Sequence, residues 1–162
     1  MPATLRPAHT DDEGFLFTLY CSTREDEIAA WGWNDAQREA FLRMQFQAQR
    51  LHYRTLAVTA EQSIVCCEGR PIGWFVTIRD GQTLRLAEIA LLPGQRNSGI
   101  GTALIQDLLV AAARTHSAVQ LHVLRSNRVI GLYQRLGFRT VADDGLYLQM
   151  EWHPPRSEFE HP

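Results

Sequence analysis

The sequence predicts an α/β fold built on one mixed sheet, mostly antiparallel with a single parallel crossover. Two observations predict it. Between Ser63 and Leu92 the apolar residues follow the short period of strands, interrupted by turn pairs at Gly69-Arg70 and Asp80-Gly81, which is the pattern of an antiparallel meander. The last of these strands is followed by a helical repeat and a further apolar strand, and a strand–helix–strand order of this kind calls for a parallel crossover. With 162 residues, 45% of them apolar, the chain has the size of one domain with a core of its own.

In chain order, residues 3–8 form a first short strand. Asp11 and Glu13 open a helix on which Phe15, Leu16, Leu19 and Tyr20 recur at helical spacing. A second helix is capped by Asn34 or Asp35, with Phe41, Met44, Gln45, Ala48 and Leu51 along one side. The connector between them holds the acidic run Glu25-Asp26-Glu27 and Trp31-Gly32-Trp33, two tryptophans that suit either core packing or a pocket wall. The meander comprises Ser63–Glu68, Pro71–Arg79 and Thr83–Leu92, ended by Pro93-Gly94. Ile100, Leu104, Leu108 and Leu109 then define an amphipathic helix to about His116. A strand at Val119–Leu124, a helix at Asn127–Leu136 ended by Gly137, and strands at Phe138–Ala142 and Leu146–Trp152 complete the pattern. Residues 1–152 read as a single domain, and residues 153–162, with three prolines and no apolar period, as a flexible tail.

Composition excludes several function classes. The 16 basic residues are all arginine, so Schiff-base chemistry, lysine-linked pyridoxal phosphate and a P-loop lysine are ruled out. A formal charge of −2 gives no basic field for nucleic acid. No run approaches the roughly 20 apolar residues of a membrane span. Cys21 and the adjacent Cys66 and Cys67 are an odd set, two of them on opposite faces of one strand, which reads as reduced, cytoplasmic cysteine usage. No metal site is expected.

The segment Gln95-Arg96-Asn97-Ser98-Gly99-Ile100-Gly101-Thr102 lies between a strand and a helix. Glycines 99 and 101 let the backbone approach a ligand, and successive amide N–H groups at a helix start bind an anion such as a phosphate without a lysine. Two better-known glycine motifs fail here: Ile100 stands where a P-loop needs lysine, and Leu104 where a dinucleotide fingerprint needs its third glycine. A plain glycine-bearing loop is the bland alternative.

Arg96-x-x-Gly99-x-Gly101 after a strand resembles the acyl-CoA signature of the GNAT superfamily of acetyltransferases. Downstream, Asn127-Arg-Val-Ile-Gly-Leu132-Tyr133-Gln-Arg-Leu136-Gly137-Phe138 is similar to that superfamily's later segment, in the right order and separated by one helix and one strand. The resemblance implies a sheet of about seven strands with a splayed parallel pair and helices on both faces. It implies acetyl-CoA as cosubstrate, its pyrophosphate held by the amides of Asn97, Ser98, Gly99, Ile100, Gly101 and Thr102 with Arg96 close by. Ile89, Ala90 and Leu91 would pair with the pantetheine arm, and a backbone N–H near Ala90 or Leu91 would polarise the thioester carbonyl. Asn127 would contact the cofactor arm.

Attack of an amine on a thioester needs a neutral amine and, at the end, a proton for the departing thiolate. Tyr133, protonated at neutral pH, suits that donor role; alone it would be an ordinary helix aromatic. For the base two residues stand open. His122 shares a strand face with Gln120 and Leu124 and is either a base or a satisfied core histidine. Glu88, inside the apolar run Leu86–Leu91, must reach water, a hydrogen-bond network or a cationic substrate. Glu25, Asp26, Glu27, Tyr53 and Gln45 or Gln49 are candidates for recognising a cationic acceptor, a small amine or a peptide N-terminus. A homodimer is compatible with this reading. The rival readings are an acyl-CoA-binding module without turnover and an interaction domain with an incidental glycine loop.

Overall fold

The computed structural model describes residues 2–56 and 59–155. Its elements are β1 (Thr4–Pro7), α1 (Glu13–Ser22), α2 (Glu25–Ala29), α3 (Asp35–Thr55), β2 (Ala60–Cys67), β3 (Arg70–Asp80), β4 (Thr83–Leu91), α4 (Ile100–Arg114), β5 (Ala118–Leu124), α5 (Ile130–Arg135), β6 (Arg139–Asp143) and β7 (Tyr147–Trp152), with 3-10 turns at Thr10–Asp12 and Pro93–Gln95. Among the described residues the strands form a seven-stranded sheet in the order β1-β2-β3-β4-β5-β7-β6. β4 and β5 are parallel, and β1 with β2, β5 with β7 and β6 with β7 are antiparallel, as the crossover pattern requires. No helix among the described residues is long and apolar enough to cross a membrane. Of the expected tail, residues 156–162 lie outside the described residues.

The chain divides into two compact units, one of Met1–Val76 with Glu88–Ser98, the other of Thr77–Ala87 with Gly99–Pro162. In the first, α1 and α3 bury Leu16, Leu19, Leu42 and Phe46, and the strands bury Ile64, Val65 and Ile72. Asn34 is the cap of α3: its side chain accepts the Gln37 N–H at 2.8 Å while the Gln37 side chain accepts the Asn34 N–H at 3.1 Å. The acidic run is a short helix, α2, rather than a plain connector. Its three carboxylates are exposed in the first turn, where they favour the positive end of the helix dipole.

The buried side of α3 differs from the expected stripe. Met44 and Leu51 are 63% and 61% exposed, and the buried residues are Leu42, Phe46, Arg50 and Tyr53. Polar groups with specific partners turn the helix this way. Arg50 donates to Gln62 Oε1 at 2.7 Å, and Tyr53 donates to Glu88 Oε1 at 3.2 Å, so both sit inside although one is charged. The two connector tryptophans answer the either-or reading with a third outcome. Trp31 and Trp33 form an edge-to-face cluster with Phe41, and Trp31 remains 45% exposed.

In the second unit the parallel register comprises three pairs, Thr83 with Ala118, Leu84 with Val119 and Arg85 with Gln120. That is short for strands of nine and seven residues, and β5 goes on pairing with β7 as far as Leu124 with Tyr147. Val119, Leu121 and Val123 are buried while His122 and Leu124 are exposed, the alternation of a strand with one covered face. The helix expected from Asn127 begins later, at Ile130. The Asn127 side-chain oxygen accepts the Val129 N–H at 3.0 Å and its carbonyl the Ile130 N–H at 3.3 Å, a local turn that competes with helix. α5 closes on Gly137 (φ +103°), with Gly137 N–H on Gln134 O at 3.1 Å and Phe138 N–H on Tyr133 O at 3.0 Å. Phe138 is therefore spent on the helix end, and β6 starts one residue later than expected.

Candidate active site

The glycine loop follows β4 as a turn and then a helix start. Asn97 (φ +60°) and Gly99 (φ +85°) are both left-handed, a conformation open to asparagine and glycine but costly for other side chains. Ser98 Oγ donates to Gln95 O at 2.7 Å and fixes the turn. The first bond of α4 is Ala103 N–H to Gly99 O at 3.0 Å, so the amides of Ile100, Gly101 and Thr102 precede the helical ladder. A Cβ on Gly99 would meet nothing within 4 Å among the described residues beyond its chain neighbours. The space above this backbone is open to an anion. Arg96 braces the loop: its Nε donates to Leu91 O at 3.0 Å and its Nη2 to Ser22 Oγ at 3.4 Å.

The end of β4 is shaped by a residue that sequence reading missed. A Cβ on Gly73 of β3 would overlap the carbonyl oxygen of Ala90 and come within 2.6 Å of the Leu91 side chain. The Ala90 carbonyl is thus turned towards β3. Every described peptide bond is trans, so the Leu91 N–H across that peptide points to the other side of the strand, away from β3. Of the two amides expected as carbonyl donors, Leu91 N–H is the one across the Ala90 peptide that points away from β3. The signal in the sequence was a glycine inside an apolar strand.

Against the same stretch of β4 lies a cavity of about 210 Å³, lined by Leu19, Tyr20, Thr23, Arg24, Gln49, Trp74, Glu88, Ile89 and Ala90. Glu88 is half-buried on its wall. Its Oε1 accepts from Gln49 Nε2 at 2.9 Å and from Tyr53 OH at 3.2 Å, which is the hydrogen-bond network that a carboxylate in this apolar run needed. Tyr20 OH donates to Gln45 Oε1 at 3.1 Å, and the Arg24 guanidinium lies 4.3 Å over the Tyr20 ring. Trp74 and Arg24 were not singled out from sequence, because a tryptophan in an apolar strand and an arginine in a polar connector carry no distinguishing pattern. The acidic run of α2 does not line this cavity.

The second unit contains Tyr133, His122 and Asn127. Tyr133 is buried, with its ring tilted on Phe138 at 5.6 Å, and burial pushes its hydroxyl above the usual phenol pKa. His122 is exposed on β5 opposite Gln149 of β7. Asn127 spends its side-chain oxygen on the turn before α5. A second cavity, of about 670 Å³ and bordered by His116, Arg139 and His153, includes none of the expected site residues. Among the described residues no cluster of three or more His, Cys, Asp or Glu is placed to hold a metal ion.

A family profile described as an acetyltransferase (GNAT) domain matches residues 57–140, just over half of the chain. No curated protein sequence matches significantly. Solved structures share the fold at low identity. The chain is similar to the PaiA N-acetyltransferase from Thermoplasma acidophilum in complex with coenzyme A, with 18% identity, a TM-score of 0.72, and coverage of 94% of this chain and 99% of that one. A protein from Corynebacterium glutamicum described as histone acetyltransferase HPA2 and related acetyltransferase gives 22% identity and a TM-score of 0.71, over 98% and 99% of the two chains. A GNAT family acetyltransferase from Elizabethkingia anophelis with acetyl-CoA bound gives 17% identity and a TM-score of 0.60, over 93% and 97%. Profile, fold and glycine loop agree: the chain belongs to the GNAT acetyltransferase family.

Proposed function

We propose that the protein is an acetyl-CoA-dependent N-acetyltransferase, moving an acetyl group to an amine-bearing acceptor by direct attack of the amine on the thioester. The observation that carries this reading is the outward Leu91 N–H at the end of β4, directly before the glycine loop and beside the cavity that Glu88 lines. Acetyl-CoA supplies the activated acyl group. The residues fit it: Gly99 leaves open space over the first amides of α4, which suit a pyrophosphate, and Ile89 to Leu91 offer a strand end for the pantetheine arm.

Leu91 N–H then serves as the donor for the thioester carbonyl oxygen as negative charge develops there. Glu88 is the group that takes the proton from the acceptor nitrogen, directly or through one water, because it faces the cavity while His122 is exposed on a different strand. Tyr133 gives its hydroxyl proton to the departing sulfur, and solvent restores it. Its raised pKa keeps that proton in place at neutral pH. Arg96 holds the loop against Leu91, which favours a positioning role over a contact with phosphate. Cys21, next to the cavity residue Tyr20, has its thiol pushed up by burial, which favours direct attack over an acyl-cysteine route.

The test is a thermal-shift series followed by turnover. Acetyl-CoA at a hundred times its dissociation constant should stabilise the fold by about 2.7 kcal/mol. ATP should do much less. Equal stabilisation by ATP would return the loop to a general phosphate site.

A further inference from the structure

The cavity beside β4 contains three buried polar atoms without a hydrogen-bond partner among the described residues: Arg24 Nε, Trp74 Nε1 and Gln49 Oε1. Trp74 itself is only 4% exposed. Buried polar atoms are nearly always paired, so three around one small cavity point to a ligand that completes them. Two are donors and one is an acceptor. The donors include a guanidinium held over the Tyr20 ring and free of ion pairs among the described residues, and the acceptor is bonded through its own amide nitrogen to the Glu88 carboxylate.

We infer that this cavity takes a free α-amino acid with an apolar side chain as the acetyl acceptor, its carboxylate on Arg24 and Trp74 and its amine towards Gln49 and Glu88. The inference rests on the acetyltransferase reading above and adds the substrate class. A cation and an anion on one wall match a zwitterion, and the N–H of an amine is what Gln49 Oε1 lacks. The volume of about 210 Å³ falls below the roughly 300–1,000 Å³ of drug-sized ligand sites, which excludes an oligosaccharide-sized amine. Leu19 and Ile89 give the remaining wall its apolar character. As the neutral amine attacks, a C–N bond forms and the C–S bond of the thioester breaks. One proton leaves the nitrogen and one joins the thiolate, so the products are the N-acetylamino acid and CoA.

The experiment compares L-leucine and L-phenylalanine with isoamylamine and phenethylamine, which lack only the carboxylate, and with leucinamide, which lacks its charge. The expected result is a kcat/KM at least tenfold higher for both amino acids than for their three analogues. Arg24→Gln should shrink that advantage at least tenfold, mainly through KM, and Trp74→Phe should shrink it less while keeping the ring. Circular-dichroism melts of both variants confirm folding. Transfer to the analogues without a carboxylate charge as fast as to the amino acids overturns the cavity assignment and leaves the acetyltransferase reading intact. Calorimetric binding of L-leucine in the presence of CoA, with no transfer to any amine, does the reverse. Neither binding nor transfer of the two amino acids overturns the assignment as well.

Discussion

Gly73 on β3 and Ala90 on β4 approach so closely that a Cβ on the glycine would overlap the Ala90 carbonyl oxygen, and this contact turns the Leu91 N–H away from β3. The donor proposed for the thioester carbonyl is thereby oriented by a residue on another strand. Gly73→Ala should destabilise the protein by about 1–3 kcal/mol, the usual cost of overpacking, because the obstacle is backbone rather than a flexible side chain end. Turnover should fall further than stability does, since Leu91 N–H is displaced. Urea unfolding and thiol release measured on the same preparation check both.

The left-handed Gly99 separates chain from ligand. Among the described residues nothing lies within 4 Å of its Cβ position beyond its chain neighbours, so Gly99→Ala should cost the free protein only about 1–2 kcal/mol of backbone strain. Affinity for CoA should drop by at least tenfold, because the added methyl occupies the approach to the helix-start amides. Unchanged affinity in calorimetry would move the phosphates elsewhere.

Much of this arrangement was legible in the sequence. The meander, the crossover and the glycine loop announce themselves through period and turn residues, and the Leu121–Val123 alternation correctly puts His122 on the opposite face from the buried residues. The face of α3 was not legible. Its inward positions include the buried Arg50 and the half-buried Gln49, held by partners far away in sequence, Gln62 and Glu88, while Met44 and Leu51 supply an apolar stripe that faces out. Gly73, Trp74 and Arg24 matter through their neighbours in space, which no local pattern encodes.

Asp12 ties the chain start to α1. It is buried, accepts from Arg6 at 2.8 and 2.9 Å and from the His9 N–H at 2.8 Å, and the Arg6 hydrogen bond above all holds its pKa down at about 2. A depressed carboxylate stabilises the fold above its ordinary pKa, near 3.8, and loses that contribution as pH falls towards 2. Asp12→Asn should therefore be less stable than the native protein at pH 6, with the gap closing between about pH 4 and pH 2. Denaturant midpoints across that range read it directly.

Tyr133→Phe keeps the ring on Phe138 and removes the hydroxyl. Turnover should fall by about 10²-fold to 10⁴-fold, the range for a positioned acid, with CoA affinity little changed. Because burial raises the Tyr133 pKa, the native pH–rate profile should show no descending limb from this group below pH 10. Near-full turnover with chemistry rate-limiting would remove Tyr133 from the proton path.

N-acetyl transfer itself is tested most directly by acceptor-dependent thiol release from acetyl-CoA, with the product weighed by mass spectrometry. The account predicts one thiol released for each acetyl group found on the acceptor nitrogen, and loss of that release in the Tyr133→Phe protein. A protein that binds acetyl-CoA but releases no thiol beyond the acceptor-free rate, across amino acids, small amines and peptide N-termini, would contradict it.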